Sequence, residues 1–213
     1  ESLFRLLARY HALSGHGFQA ALNETAFEVL RKHLSVNFEC FASPLNAYFP
    51  RFCSAFPDTD VPFGSSLGSF FTLPEDGSVE GSFEANPPFI SEVMTAMADK
   101  MHRMLAKAES SSRRLSFVVI VPGWTDEPSW KKMSSSSFLS KKLLVARDDH
   151  GFCDGAQHQR RDRYRESPYD TAIFVLQTTS AREAWSFTDD AERDLRAAMA
   201  EAHPTPGAKL RRK

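Results

Sequence analysis

The sequence has 213 residues, of which 42% are hydrophobic and 25% are charged, and its formal net charge is −1. This length suits one globular domain with an appendage. The near-zero charge excludes nucleic-acid binding through overall positive charge, so local basic stretches would have to contact any such partner. No apolar run approaches the roughly 20 residues that a bilayer-spanning helix needs, and we expect no membrane association.

The ends of the sequence and its cysteines indicate its setting. There is neither a signal peptide nor a methionine at position 1, which suggests a segment of a longer protein. The three cysteines, Cys40, Cys53 and Cys153, are an odd number without a CxxC pair. This pattern predicts free thiols in a reducing, intracellular compartment and no metal site.

Residues 1–35 are predicted to form a helical segment that precedes the core. Two apolar stripes at helical spacing indicate two helices, and Asn23 or Thr25 is able to cap the second. Residues 36–42 alternate as in a strand. Residues 45–56 have apolar residues at near-helical spacing and predict a short helix.

The middle of the chain contains the clearest elements. Residues 69–73 predict a short strand. Residues 90–107 carry a methionine-rich stripe at helical spacing, which predicts a helix packed on a sheet. Residues 115–121 are continuously apolar, and a strand buried on both faces is typical of a parallel sheet covered by helices.

Two further strands are predicted at residues 142–146 and 170–177. The polar, arginine-rich stretch between them shows no helical pattern long enough for a parallel crossover. We therefore predict a long-looped antiparallel hairpin at the sheet edge. Residues 181–213 are predicted to contain a C-terminal helix, capped near Thr188, and a basic tail.

This order of elements predicts an α/β fold, with an open sheet covered by helices on both faces and a core at residues 36–180. In such sheets, ligands bind outside the carboxyl ends of the strands. The chemically unusual segments of the sequence all fall at those ends. They are residues 42–44, 86–89 and 122–124 and the loop that begins at Arg147.

The most distinctive of these segments is Asn86-Pro87-Pro88-Phe89. Each proline fixes its own φ and favours extended geometry for the residue before it. The segment thereby presents an amide, a rigid carbonyl and a flat apolar ring at a strand end, which suits the capture of a planar base with an exocyclic amine. The alternative is an ordinary proline-rich turn with a core phenylalanine.

Three segments carry a resemblance to a known family: residues 38–46 (FECFASPLN), 86–89 (NPPF) and 121–124 (VPGW). The chain resembles the S-adenosylmethionine-dependent amino-methyltransferases with Asn/Asp-Pro-Pro-aromatic after the fourth strand. Within that group it looks like the cap-specific mRNA adenosine-N6-methyltransferases. The resemblance implies a Rossmann-like methyltransferase fold with a mostly parallel sheet, an antiparallel edge hairpin and S-adenosyl-L-methionine as the cofactor.

The resemblance assigns catalytic roles to Asn86, Pro87 and Phe89. The Asn86 side-chain oxygen and the Pro87 carbonyl would accept the hydrogens of the adenine exocyclic nitrogen, so that its lone pair points at the sulfonium methyl. Phe89 would stack on the base. Alignment of the reacting atoms would then supply most of the rate enhancement.

The cofactor side departs from the family pattern, because residues 42–46 replace the usual glycine-rich turn. Small side chains there, Ala42 and Ser43, would allow close approach of the methionine moiety, and the Glu39 carboxylate would hold its amino group. Asp58 or Asp60 would bind the ribose hydroxyls. The expected cofactor-binding residues are Glu39, Ala42, Ser43, Pro44, Asn46, Asp58, Phe63 and Gly64.

The RNA would lie along the same edge. The expected substrate-binding residues are Pro88, Trp124, Arg160, Arg161 and Arg163. Arginines interleaved with aromatics suit phosphates, stacked bases and the flat cation of a methylated guanine cap. A solvated charged loop is the alternative.

The implied partner is capped mRNA that begins with adenosine, and the implied location is the nucleus. For the longer protein, the resemblance also implies binding to the phosphorylated C-terminal domain of RNA polymerase II through a region absent here.

The leading hypothesis is methyl transfer to N6 of the (2′-O-methyl)adenosine beside the m7G cap. Two alternatives stay open: an adenine-N6 methyltransferase for DNA or internal RNA sites, and a methyltransferase-like scaffold without turnover. The intact segment 86–89 favours chemistry, whereas the unusual turn at residues 42–44 mildly favours the scaffold.

Overall fold

The computed structural model describes residues 1–12, 20–65, 68–155 and 162–204. Its helices are α1 Ser2–Ala12, α2 Glu24–Leu34, α3 Pro57–Asp60, α4 Ser91–Ser110, α5 Pro128–Ser134, α6 Thr179–Ala184 and α7 Asp189–Glu201. Its strands are β1 Ala20–Ala21, β2 Gly81–Ala85, β3 Leu115–Pro122, β4 Leu139–Val145, β5 Gly151–Asp154, β6 Tyr164–Glu166 and β7 Thr171–Gln177. Short 3₁₀ turns lie at Val61–Phe63, Phe70–Thr72 and Arg147–Asp149.

The main sheet has four strands in the order β2-β3-β7-β4. Strands β2 and β3 are parallel, whereas β7 is antiparallel to both β3 and β4. The predicted α/β class is confirmed, and so is the antiparallel pairing of the strands predicted at residues 142–146 and 170–177, with β4 at the edge. Within this four-stranded sheet of the described chain, however, antiparallel pairings outnumber the parallel one.

Isolated bridges continue the parallel side of the sheet beyond β2. Glu39 makes parallel bridges to Glu84 and to Phe52, and Phe52 makes another to Ser65. The strand predicted at residues 36–42 is therefore an extended segment that bridges its neighbours through Glu39, instead of a regular strand.

A second, smaller sheet has the order β1-β5-β6, and both of its pairings are antiparallel. It joins Ala20, in the N-terminal segment, to the stretch that the sequence predicts as a loop between β4 and β7. Its strands have only two to four residues, which is too short to produce a recognisable periodicity. These strands were therefore not predicted.

Hydrophobic residues cover both faces of the main sheet. Phe117 and Val119 of β3 pack in one cluster with the methionines of α4, including the fully buried Met101. Val118 and Ile120 pack in a second cluster with residues of α2 and α7. The predicted burial of this strand on both faces is confirmed.

The long helices agree with the sequence prediction. Both N-terminal helices form, and the Asn23 side chain caps α2 by accepting a hydrogen bond from the Ala26 N–H (3.1 Å). Helices α4 and α7 also form, and Thr188 caps the latter. Among the helices of the described chain, none is both long and apolar enough to cross a membrane.

Two predicted elements are wrong. Residues 45–56 form turns and bends instead of a helix, because Pro50 interrupts them and Phe52 bridges neighbouring extended segments. Residues 69–73 contain the 3₁₀ turn Phe70–Thr72 instead of a strand, and the Ser69 hydroxyl caps this turn. Helices α5 and α6 were not predicted, because each has fewer than eight residues.

Candidate active site

A cavity of about 550 Å³ lies at the carboxyl end of β2. Its walls are mostly apolar, and the residues that line it come from α1, β1, the extended segments beside β2, and the start of α4. They are Tyr10, Ala20, Cys40, Phe41, Ala42, Cys53, Ser54, Ala55, Ser69, Phe70, Phe71, Asn86, Pro87, Pro88, Phe89 and Val93. The structure thus brings all four residues of the Asn-Pro-Pro-Phe segment and Ala42 to one cavity.

The Asn-Pro-Pro-Phe segment connects β2 to α4 without regular structure. Pro87 and Pro88 cannot donate backbone hydrogen bonds, so β2 ends at Ala85 and the helix begins only at Ser91. The Pro88 carbonyl accepts a hydrogen bond from the Ile90 N–H at 2.8 Å, which tightens the turn. The segment is therefore a rigid wall of the cavity.

The side-chain amide of Asn86 has a defined orientation. Its Nδ2 donates a hydrogen bond to the backbone carbonyl of Ala20 at 2.6 Å. Ala20 belongs to β1, which pairs with β5 through Ala20–Asp154 and Ala21–Cys153. The small sheet therefore holds the amide nitrogen, and Oδ1 is the acceptor end of the amide that this contact does not use.

Three aromatic rings extend from the segment along the sheet edge. Tyr169, just before β7, makes edge-to-face contacts with Phe89 (centroids 5.7 Å apart) and with Trp124 (5.6 Å). Burial raises the pKa of Tyr169 to about 12, so this ring is neutral at physiological pH. Sequence reasoning named Phe89 and Trp124 but missed Tyr169, although its place after Pro168 at a strand start was an available signal.

The turn at residues 43–46 is closed by its own polar groups. The Asn46 side-chain oxygen accepts hydrogen bonds from the Ser43 N–H (2.8 Å) and the Ser43 hydroxyl (2.9 Å). Ser43, Pro44 and Asn46 do not line the cavity, as far as the described chain defines it, whereas Ala42 does.

Glu39 is buried and is not among the described residues that line the cavity. Its carboxylate accepts hydrogen bonds from the backbone N–H groups of Tyr48 and Phe49, both at 2.8 Å. Burial raises its pKa to about 7. The neighbouring Glu84 is fully buried, and burial followed by repulsion from Glu39 raises its pKa well above the ordinary value.

The two acidic residues of α3 have different surroundings. Asp58 is exposed and forms an ion pair with Arg9 at 2.5 Å. Asp60 is fully buried, and its Oδ2 accepts hydrogen bonds from the Tyr10 hydroxyl (2.5 Å) and the Phe56 N–H (3.1 Å). Its Oδ1 has no hydrogen-bond partner among the described residues. Because Tyr10 lines the cavity, Asp60 contacts the cavity wall through it, although neither acidic residue is in the described lining.

Two other predicted cofactor residues follow α3 in the chain. Phe63 ends a 3₁₀ turn, and Gly64 follows it with φ +109°, a left-handed conformation that favours glycine. Within the described chain, neither is among the residues that line the cavity.

Of the predicted arginine cluster, the structure describes Arg163. Arg160 and Arg161 lie outside the described residues. Arg163 forms an ion pair with Glu24 at 2.9 Å, and its guanidinium lies over the Tyr164 ring. It therefore ties β6 to the first turn of α2.

The three cysteines and His150 are structural in character. Cys40, Cys53 and Cys153 are buried and free. Both ring nitrogens of His150 are engaged, one by the Ala146 carbonyl and one by the Thr171 hydroxyl. In the described ranges, no group of three or more His, Cys, Asp or Glu side chains is placed to hold a metal ion.

The fold and the cavity together define a mixed α/β protein with a candidate ligand site at the carboxyl end of its parallel strand pair. Its wall is the Asn-Pro-Pro-Phe segment, which suits recognition of an amine-bearing planar base.

Comparison with known proteins then identifies the family. Residues 1–155 match the family model described as "Phosphorylated CTD interacting factor 1 WW domain", and the chain belongs to this family. A human protein named mRNA (2'-O-methyladenosine-N(6)-)-methyltransferase is 38% identical over 203 residues, which cover 91% of this chain and 28% of the human protein. The mouse protein of the same name is 36% identical over 213 residues, covering 95% of this chain and 29% of its own length. The chain thus spans under a third of these curated relatives.

A solved structure from Thermoplasma acidophilum aligns with 12% identity over 72% of this chain and 86% of its own. Its TM-score is 0.37, which is too low to establish a common fold.

Proposed function

We propose that this chain transfers a methyl group from S-adenosylmethionine to N6 of 2′-O-methyladenosine in mRNA, at the nucleotide beside the m7G cap. The observation that carries the proposal is the placement of Asn86-Pro87-Pro88-Phe89 along the cavity at the end of β2. The names of the human and mouse relatives, which specify the same nitrogen, support the same chemistry here.

A Rossmann-like methyltransferase fold is part of the same proposal. The isolated bridges through Glu39, Phe52 and Ser65 add parallel neighbours to the β2–β3 pair, while β7 and β4 remain antiparallel at the other edge. A sheet that is mostly parallel with an antiparallel edge is consistent with a Rossmann-like methyltransferase core. We assign residues 36–180 to this core, with helical segments before and after it.

The residues of the cavity fit S-adenosylmethionine. About 550 Å³ lies within the range of small-molecule sites. The rings of Phe41, Phe70 and Phe71 suit a sulfonium cation. Asp60 is fully buried and does not line the described cavity, but it orients Tyr10, which does line it, by accepting the Tyr10 hydroxyl hydrogen. When bound, the cofactor supplies an electrophilic methyl group.

The chain's own residues prepare the nucleophile. The adenine amine is a poor nucleophile because its lone pair is delocalised into the ring. Asn86 Oδ1 and the Pro87 carbonyl would accept its two hydrogens, which moves the nitrogen towards tetrahedral geometry. Phe89 would hold the plane of the base, and alignment would supply most of the rate enhancement.

The lining of the cavity bears on two points: where the proton released from N6 goes, and whether the cysteines are methylated instead of the base. Among the described residues that line it, none carries a carboxylate or an imidazole. The proton released from N6 would therefore leave to solvent after methyl transfer. Burial raises the pKa of Cys40 well above its ordinary value and that of Cys53 to about 12. Both thiols thus stay protonated and do not compete for the methyl group.

The RNA would continue from Phe89 along Tyr169 and Trp124, with Pro88 exposed at the rim. Arg163 already pairs with Glu24, so we assign it to holding the small sheet as much as to binding phosphate. A nuclear location and contact with RNA polymerase II remain part of the proposal for the longer protein.

Methyl transfer by the purified protein tests the proposal. Labelled S-adenosylmethionine is combined with capped RNA that begins with 2′-O-methyladenosine, with its uncapped counterpart, and with DNA of the same sequence. We expect transfer to the capped RNA. Absence of transfer to every substrate would refute the enzyme, and equal transfer to uncapped RNA would refute the cap requirement.

Asn86→Ala is the matching variant. Loss of one alignment contact at the reacting atom should lower kcat about 100-fold or more, while cofactor affinity by calorimetry stays near the wild-type value. Asn37→Ala, at an exposed asparagine outside the cavity, is the control and should leave both unchanged. Wild-type activity in Asn86→Ala would contradict the assigned role.

A further inference from the structure

We infer that the backbone carbonyl of Ala20 is a positioning group for methyl transfer, because it fixes the Asn86 amide with Oδ1 directed to the substrate amine. This inference rests on the proposed function. It assigns a catalytic purpose to the small sheet β1-β5-β6, which contributes only Ala20 to the lining of the cavity.

The contact determines which end of the amide faces the substrate. Asn86 Nδ2 lies 2.6 Å from the Ala20 carbonyl oxygen. If the amide were flipped, Oδ1 would take the place of Nδ2 beside the Ala20 carbonyl oxygen. Two oxygens without a hydrogen between them repel each other. The same contact therefore excludes the orientation in which the amide would present N–H groups to an N–H substrate.

Ala20 is held in place from several directions. Its strand pairs with β5 at Asp154, and the Asp154 N–H donates to the Arg163 carbonyl at 2.8 Å. The Arg163 side chain forms its ion pair with Glu24 at the start of α2. Asn23 donates from Nδ2 to the Ala198 carbonyl of α7 at 2.8 Å. The acceptor is thus fixed before substrate arrives, as positioning requires.

This geometry favours a neutral side chain at position 86. A carboxylate there would have an oxygen next to the Ala20 carbonyl oxygen with no hydrogen between them. A protonated carboxyl would instead donate its O–H to Ala20 and offer its other oxygen to the substrate, as the amide does.

The test is the pH profile of Asn86→Asp. We expect kcat relative to wild type to be highest at acidic pH and to fall about tenfold per pH unit above the pKa of the new carboxyl. Recovery at low pH would also show that the variant is folded. If Ala20 had no positioning role, the carboxylate would be the stronger acceptor, and relative activity would rise or stay level with increasing pH.

Gln177→Glu is a matched control. Gln177 is also buried, and its Nε2 also donates to a backbone carbonyl, that of Trp185 (2.9 Å), but it is neither in the described lining of the cavity nor among the residues that hold Ala20. This variant should become less stable as pH rises, while its relative kcat does not vary with pH.

The outcomes separate the two proposals. A wild-type protein without methyl transfer refutes the proposed function. An active wild type whose Asn86→Asp variant gains relative activity at alkaline pH, or shows the same pH profile as Gln177→Glu, overturns the role of Ala20 alone.

Discussion

Replacing Gly151 with alanine should destabilise the protein strongly, because β5 passes against two backbone segments at this residue. A Cβ built on Gly151 would lie 2.1 Å from the Ala202 carbonyl oxygen, 2.6 Å from its carbonyl carbon, and 2.7 Å from the Arg165 carbonyl oxygen. All three atoms belong to the backbone, so no side-chain rotation relieves the overlap. Either the end of α7 or strand β6 must move.

The size of the effect follows from these contacts. Overpacking a well-packed site costs about 1–3 kcal/mol, and two rigid neighbours place the cost of Gly151→Ala at about 3 kcal/mol. For a chain of this length, each kcal/mol lowers Tm by about 2–4 °C. We therefore expect Tm to fall by about 6–12 °C in thermal denaturation followed by circular dichroism.

Gly123→Ala is the graded comparison. There the nearest atom is the flexible Leu144 Cδ1 at 3.0 Å, followed by Asp170 Cβ and the Asp170 carbonyl oxygen, both at 3.1 Å. A small shift accommodates the methyl group, so we expect a cost of about 1 kcal/mol or less. A Gly151→Ala protein that melts within 1 °C of wild type, or no lower than Gly123→Ala, would refute the reasoning.

Two further predictions concern Glu39 and Tyr169. Burial raises the pKa of Glu39 from 4.5 to about 7, so its contribution to stability is complete below about pH 4.5 and is lost as pH rises through about 7. Glu39→Gln should therefore reduce the fall in urea-unfolding free energy over this range, and an unchanged slope would contradict the assignment. Tyr169→Ala should lower kcat/KM for RNA about 2- to 12-fold, because an edge-to-face pair with Phe89 is worth about 0.5–1.5 kcal/mol. Tyr169→Phe keeps the ring and should behave as wild type; equal losses in both variants would point to the hydroxyl instead.

The sequence predicted the elements whose signal is local and long. Helix α4 has a methionine stripe over several turns, and β3 is apolar throughout, so each pattern identifies its element without tertiary information. The helix predicted at residues 45–56 is wrong because apolar spacing alone takes no account of Pro50 or of the bridge at Phe52. The strand predicted at residues 69–73 is wrong because Phe70–Thr72, three consecutive aromatic or β-branched residues, resemble a strand in sequence but form a 3₁₀ turn.

The candidate site shows the same limit. The prolines of Asn86-Pro87-Pro88-Phe89 restrict the backbone of adjacent residues only. The position of this segment at a strand end was therefore predictable from local sequence. The orientation of the Asn86 amide was not, because its partner Ala20 lies 66 positions earlier in the chain. Likewise, nothing local to Asp58 and Asp60 indicates that one pairs with Arg9 and the other is buried beneath Tyr10.

The long separation between Ala20 and Asn86 also has a consequence for the order of folding. Closing such a loop costs chain entropy, and the two-residue strand β1 gains few hydrogen bonds in return. We expect the main sheet to form first and the small sheet to close last. On unfolding, the amides of β1 and β5 should exchange with solvent before those of β3. Catalytic competence would then disappear at denaturant concentrations at which most of the protein is still folded.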